Sequence, residues 1–253
     1  QHSSWWRKKA NMFQSILIKR KPVPLRLAKY VHNKSLSEFW MPFTNQRQFK
    51  ELPRLLETAD GMYYRDAQDQ QVLDGTSGLW CVNAGHRQPR VVDAIKSQLD
   101  KLDYAPNFQM GTSIAFECAT KIIRELLHRD ETSHRLERVF FTNCGSTAVD
   151  TAMKMALVYH KCRGEAGRVR FIGRERAYHG VGLGGISVGG IGPNRRDFAP
   201  LMVPNCDHLP HTHNLAKMAF SRGQPSWGAH LADELERMIT LHDPSTVAAV
   251  MVE

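Results

Sequence analysis

TNCGSTAVDTAMKMA, residues 142–156, decides how the chain is read. An apolar run rich in β-favouring residues, 137–142, feeds into it and predicts a strand. A Gly-Ser-Thr bend follows, and 146–162 then predicts a helix. A helix that opens just past a strand offers unpaired backbone N–H groups at the carboxyl edge of a sheet. Gly145 lets an anion come close to the backbone, and Ser146 and Thr147 can add hydroxyl donors. That is the chemistry of a phosphate cup. On this stretch alone, an ordinary turn with Ser146 capping the helix stays open as the plainer reading. The spacing is not a Walker loop, because no Gly-Lys-Ser/Thr follows.

Working outward, apolar strands alternate with amphipathic helices. Residues 168–173 predict a strand, 185–190 a short strand, and 246–253 an apolar strand rich in β-branched residues. Residues 227–242 predict a helix with Leu231, Leu235, Met238 and Leu241 on one face. Upstream, 89–102 opens with Pro and aligns Val91, Ile95, Leu99 and Leu102, while 112–128 repeats Ile114, Cys118, Ile122 and Leu126 every four residues. This alternation implies an α/β fold, a mostly parallel sheet with flanking helices. Before it, residues 62–73 predict a β-hairpin, and the Gly-rich 75–86 predicts a loop. A core strand that stops at Glu253 suggests a chain continuing into a longer one.

Net charge of +9 points first to nucleic acid, but its placement argues otherwise. Residues 1–37 hold nine basic residues and no acid, leaving 25 of the 34 basic residues against 25 acidic ones. The globular part is therefore neutral, and nucleic acid is not an expected partner. The acid-free leader, with interspersed Leu, Ile and Ser, fits a mitochondrial transit peptide and a matrix location. A disordered basic arm on a cytoplasmic protein is the alternative. No apolar run approaches 18 residues, so no membrane span is expected. The five cysteines (Cys81, Cys118, Cys144, Cys162, Cys206) are odd in number and scattered, which suggests reduced thiols.

Three further motifs invite a function. GVGLGG, 180–185, matches the dinucleotide pattern, but the glycines and Pro that follow argue against the helix it needs; a mobile Gly-rich loop beside a ligand is the better reading. CDHLPHTH, 206–213, gathers His208, His211 and His213, but its proline-flanked, loop-like spacing matches no ligand pair on a helix, so no metal is expected. Tyr178 and His179 sit at a strand–loop junction, where rings either stack on a planar ligand or plug the core. Trp80, in the Gly-rich loop, raises the same question.

In order along the chain, FWMPFT, LDGTSGLWCVNAGH, FTNCGSTAVDTAMKMA, AYHG, DHLPHTHNLAKMAFSRGQP and ADELERMITLHDPSTVAAVMVE resemble the amino-terminal half of class III pyridoxal-phosphate-dependent aminotransferases. Within that class, the sequence is most similar to the ω-amino acid (β-alanine):pyruvate aminotransferases. The resemblance implies a fold-type I transferase: 1–36 a leader, 37–88 the first segment of the small domain, and 89–253 the first, incomplete part of the large cofactor domain. It implies pyridoxal 5'-phosphate, with Gly145 and Ser146 holding the phosphate, Cys144 beside them, Tyr178 on the ring, His179 next to it and Glu253 nearby. Trp80, Phe43 and Phe108 would line the substrate pocket. YAPNFQ, 104–109, would reach into a partner subunit, making the working unit a homodimer or a tetramer built from it. Donor and acceptor would be an ω-amino acid or amine and pyruvate or another oxo acid.

Two residues depart from the pattern. The family usually has Ser where this chain has Cys144, and an acid where it has Thr147; weaker cofactor retention is the expected result. In the family, the catalytic Lys, the acid on the pyridine nitrogen and the carboxylate-binding Arg lie past residue 253. Lys154, Lys161 and Lys217 lack that context and read as surface residues. No catalytic residue is therefore assigned within these residues, and the piece alone is not expected to transaminate. A decarboxylase or mutase of the same class, or a non-catalytic binder of a phosphorylated ligand, are the competing readings.

Overall fold

The computed structural model describes residues 36–127 and 136–253. The leader lies outside the described residues, apart from Leu36. The chain divides into two compact units, Gln1–Thr112 and Ser113–Glu253.

In the first unit, helix α1 (Gln46–Glu51) starts where the Asn45 side chain accepts from the Gln48 N–H at 3.3 Å. Three antiparallel strands follow: β1 (Leu56–Asp60), β2 (Tyr63–Asp66) and β3 (Gln71–Leu73), in that order across the sheet. The expected hairpin is β2–β3, with Tyr64 opposite Val72. Its turn is tied by the buried Asp66, whose Oδ1 accepts from the Gln68 and Gln70 N–H groups at 3.0 and 2.8 Å. Strand β1 escaped the sequence reading because Leu-Glu-Thr-Ala-Asp has no apolar alternation; pairing with β2 alone makes it a strand. Helix α2 (Pro89–Lys101) forms as expected, with Pro at its first turn, and belongs to this unit.

The loop expected at 75–86 contains a feature that composition does not show. Ser77, Gly78, Leu79 and Trp80 have φ of 51, 59, 57 and 69°, one turn of left-handed helix closed by Trp80 N–H to Thr76 O and Cys81 N–H to Ser77 O, both 2.9 Å. Each non-glycine residue in that conformation costs roughly 1–2 kcal/mol. The compensation comes from Asp74. Its Oδ1 accepts from Thr76 N and Oγ1 at 3.1 and 3.2 Å, and its Oδ2 accepts from Gly78 N at 2.7 Å and His86 Nε2 at 2.8 Å. Burial alone would raise the Asp74 carboxyl; the His86, Thr76 and Gly78 donors outweigh it and bring it down to about 2.

The second unit carries helix α3 (Ser113–Lys121), which passes into a wider π turn at Ile122–Leu127. Residues 137–142, expected as a strand, form none. No described strand lies beside them to complete a ladder, and Phe140 and Phe141 stay exposed. Helix α4 (Gly145–Cys162) follows directly. Three parallel strands, β4 (Arg170–Arg174), β5 (Cys206–Leu209) and β6 (Val247–Val250), form a sheet in the order β5–β4–β6. β4 is central because Phe171 and Ile172 are buried, each worth roughly 1.5–3 kcal/mol relative to exposure. Met153 of α4 packs on Phe171 and Val188, with Val149, Ala156 and Ala249 around them. His160 Nε2 donates to Ala248 O at 2.9 Å, tying the end of α4 to β6.

Two expectations are corrected here. Residues 185–190 are not a strand: Leu183–Val188 form helix α5, and Gly184 through Val188 are buried. Glycines permit a helix there because α5 lies so close to its neighbours that side chains would not fit. A Cβ on Gly173 of β4 would sit 1.9 Å from Val188 O. Residues 206–209, expected in a loop, form β5, and its pairing with β4 overrides the poor strand propensity of Cys-Asp-His-Leu. The unit also holds helix α6 (Gly192–Phe198) and helix α7 (Asp233–His242). No helix among the described residues is long and apolar enough to cross a membrane.

Candidate active site

The site begins at the first turn of α4. Cys144 is extended, with φ −162° and ψ 166°, and its carbonyl accepts the first helical bond, from Ala148 N–H at 3.0 Å. The first turn contains no acid, so nothing there opposes an anion at the positive end of the helix. Cys144 Sγ and Thr147 Oγ1 touch at 3.4 Å. The two positions that depart from the family pattern are thus neighbours on one turn. The Thr147 hydroxyl first, then its N–H and Ser146, hold the Cys144 thiol below its ordinary range.

A glycine-rich segment lies across this turn. Gly180 has φ +96°, and a Cβ there would stand 2.6 Å from Ser146 Oγ and 2.7 Å from Ser146 Cα. Only glycine permits so close an approach in that conformation. Ser146 Oγ accepts from Val181 N–H at 3.0 Å. Accepting there leaves the hydroxyl proton free to be donated elsewhere. One turn along the same face, Asp150 Oδ1 accepts from Gly185 N–H at 2.9 Å. Ser146 and Asp150 therefore fasten the two ends of residues 180–185 to α4. Sequence reasoning missed Asp150; its signal is the i, i+4 spacing from Ser146. We expect Asp150→Ala to lower stability by about 1–3 kcal/mol, since it leaves the Gly185 N–H without its acceptor, and chemical unfolding of the full-length protein would measure the loss.

The dinucleotide reading of 180–185 does not fit this geometry. A helix does follow, contrary to expectation, but β4 ends at Arg174, well before Gly180, so no strand leads directly into the glycines.

Glu253 Oε2 accepts from the backbone N–H of Tyr178 at 2.7 Å. Residue 253 is thereby linked to the loop that starts at the end of β4. Ala177 of that loop is buried, while Tyr178 next to it is 40% exposed. His179 lines a small cavity of about 10 Å3 with Tyr178, Gly180, Ile191 and Asn194. Its Nε2 is shielded from solvent and has no hydrogen-bond partner. The second unit thus brings Cys144, Gly145, Ser146, Tyr178, His179 and Glu253 into one connected set of contacts. Trp80, Phe43 and Phe108 belong to the first unit and are all exposed there. Lys154, Lys161 and Lys217 are exposed as well.

The histidines of 206–213 are dispersed. His208 Nε2 lies 2.9 Å from Gly189 O and 3.0 Å from Arg195 Nη1, and burial followed by the Arg195 charge pushes its pKa down. Among the described residues, no three of His, Cys, Asp or Glu converge as metal ligands.

Comparison with known proteins identifies the family. The class-III aminotransferase pattern matches residues 44–253. An omega-aminotransferase of Caulobacter vibrioides is 54% identical over 218 residues, covering 86% of this chain and 48% of that protein. A beta-alanine–pyruvate aminotransferase of Pseudomonas aeruginosa is 43% identical over 232 residues, covering 91% and 50%. Among solved structures, an amine transaminase from an uncultivated Pseudomonas species, in its PLP-bound form, superposes with a TM-score of 0.76 at 33% identity, covering 86% of this chain and 48% of that one. The omega transaminase of Pseudomonas jessenii in complex with PMP gives 0.73 at 28% identity, covering 88% and 47%. The chain spans about half the length of the curated relatives it matches. The fold expected from the sequence, a fold-type I α/β arrangement with a parallel sheet, is the one found. A matched pattern of this extent, carried on this fold, shows that the chain belongs to the class-III aminotransferase family.

Proposed function

We propose that the whole protein is a pyridoxal-phosphate-dependent transaminase that moves an amino group from an ω-amino acid or amine to pyruvate or another oxo acid. The observation that carries this is the cup at the start of α4: Ser146, oriented by Val181 N–H, with Gly180 pressed against it. These residues fit a phosphate ester. The first-turn amides and the free Ser146 proton are donors, no acid intrudes, and the missing Cβ of Gly180 keeps the loop close. The orphaned His179 Nε2 and the half-exposed Tyr178 suit a planar, polar partner beside the phosphate. Related proteins named for ω-amino acid and β-alanine–pyruvate transfer support the substrate class.

Bound there, pyridoxal phosphate would supply a carbonyl to take up the donor nitrogen and a conjugated ring to hold the electron pair left when a proton departs. The chain's own residues orient and anchor. Gly145 and Ser146 would hold the phosphate, Tyr178 would set the plane of the ring, and Glu253 fixes the backbone from which Tyr178 projects. Proton transfer is assigned to a lysine outside these 253 residues. A homodimer in which 104–109 reaches the partner's site, and mitochondrial targeting by the basic leader, belong to the same proposal. Import lost on deleting residues 12–34 would support the targeting, and unaffected import would oppose it.

The test is direct. Full-length protein supplied with pyridoxal phosphate, β-alanine and pyruvate should form alanine, and no amino transfer between any ω-amine and oxo acid would refute the reading. We further expect Cys144→Ser to bind the cofactor about 2–10-fold more tightly, because a hydroxyl is the better donor and a net hydrogen bond is worth roughly 0.5–1.5 kcal/mol. Equilibrium dialysis would show it; unchanged affinity would remove Cys144 from the cup.

A further inference from the structure

Helix α5 begins without a cap of its own. The first turn of any helix leaves backbone N–H groups unpaired, and Gly182, at the capping position here, has no side chain to take one. Asp150 of α4 supplies the acceptor from a different helix, its Oδ1 taking the Gly185 N–H at 2.9 Å. The neighbouring glycines make room for that carboxylate. A Cβ on Gly182 would stand 2.3 Å from Asp150 Oδ2, and one on Gly184 would stand 2.6 Å from Oδ1. Asp150 is thus enclosed by the segment it holds.

The same segment reaches Ser146 one turn earlier on α4. Val181 N–H donates to Ser146 Oγ at 3.0 Å, and that bond decides where the hydroxyl proton can point. Val181 and Gly185 are four positions apart, as are Ser146 and Asp150. Two bonds in register therefore clamp the segment to one face of α4. Releasing the Asp150 end lets the segment swing about the bond that remains, and the Val181 N–H is the next to be lost.

We propose that Asp150 is a positioning residue for cofactor binding: its carboxylate holds residues 180–185 on α4, so that Val181 N–H stays on Ser146 Oγ and the Ser146 proton stays directed at the phosphate. This rests on the transaminase reading above. Asp150 acts through Ser146 and not by contact with the phosphate.

The experiment uses the full-length protein, with cofactor affinity from equilibrium dialysis and amide hydrogen exchange on the cofactor-free form. Asp150→Ala should weaken pyridoxal phosphate binding about three- to tenfold, the worth of one net hydrogen bond. Asp150→Asn, which keeps an Oδ1 acceptor for the Gly185 N–H, should bind within about twofold of the parent. In a Ser146→Ala background, Asp150→Ala should cause no further loss. Hydrogen exchange separates this role from a merely local one. In Asp150→Ala the Val181 amide, whose own acceptor is untouched, should exchange about tenfold faster or more, together with that of Gly185. Unchanged Val181 exchange, no rescue by Asp150→Asn, or an equal loss of affinity without Ser146 overturns the proposal. Should Asp150→Ala not fold, Gly182→Ala takes its place, since its Cβ would push the carboxylate away from Gly185. Weakened binding in that variant supports the proposal, and binding as tight as the parent's overturns it. A parent that binds no pyridoxal phosphate fails the transaminase reading and the proposal with it. Equal binding by the parent and Asp150→Ala overturns the proposal alone.

Discussion

Ser146→Asp in the full-length protein is expected to weaken pyridoxal phosphate binding about a thousandfold or more. The variant removes a charge-assisted hydrogen bond worth roughly 1.5–3 kcal/mol. It also sets a carboxylate against a dianion; at about 4 Å and an effective dielectric near 20, one pair of unit charges repels by about 4 kcal/mol. Together these exceed the roughly 4 kcal/mol that corresponds to a thousandfold. The fold should survive, because a carboxylate can accept from Val181 N–H as Ser146 Oγ does. Ser146→Ala isolates the first contribution and should cost about tenfold to a hundredfold. Equilibrium dialysis gives the affinities, and thermal melts of the cofactor-free variants verify folding. Ser146→Asp binding as well as the parent would mean that the phosphate sits elsewhere.

Gly173→Ala is expected to be the most destabilising small substitution in the second unit. Its Cβ would fall 1.9 Å from Val188 O and 3.0 Å from Val188 C, and both are backbone atoms of a buried helix. No rotamer change relieves such a contact, so β4 and α5 must separate in the core that Met153, Phe171 and Val188 share. Overpacking costs of about 3 kcal/mol or more apply. In a protein of this size, that lowers the thermal midpoint by roughly 6–12 °C. Gly192→Ala is the control, since a Cβ at Gly192 meets nothing within 4 Å, and its midpoint should stay within about 2 °C of the parent. A Gly173→Ala midpoint as high as the control's would show that β4 and α5 are not packed as described.

Much of this was legible in the sequence wherever burial leaves a periodic trace. The run at β4, the apolar β6 and the amphipathic α2 and α4 carry such traces, and all four formed. What tertiary contact imposes was not legible. β1 is a strand because β2 pairs with it, and β5 because β4 does. Helix α5 is built of residues with poor helix propensity, and close packing against β4 and α4 selects it. Residues 137–142 show the converse, a strand-like run that pairs with no strand among the described residues. At the site, the Gly-Ser pair could be recognised in the sequence, but its hold on the glycine-rich segment could not. The bonds from Val181 N–H to Ser146 and from Gly185 N–H to Asp150 each span 35 residues. The Asp74 hold on the Ser77–Trp80 turn was hidden for a different reason: composition predicts a loop and says nothing of its handedness.

The central claim is that a phosphate ester sits on the first turn of α4. A crystal structure of the full-length protein grown with pyridoxal phosphate tests it most directly. Phosphate oxygens within hydrogen-bonding distance of the Gly145 amide and of Ser146 Oγ are the predicted result. A first turn closed off by the Cys144 and Thr147 side chains, with the phosphate bound elsewhere, would contradict it.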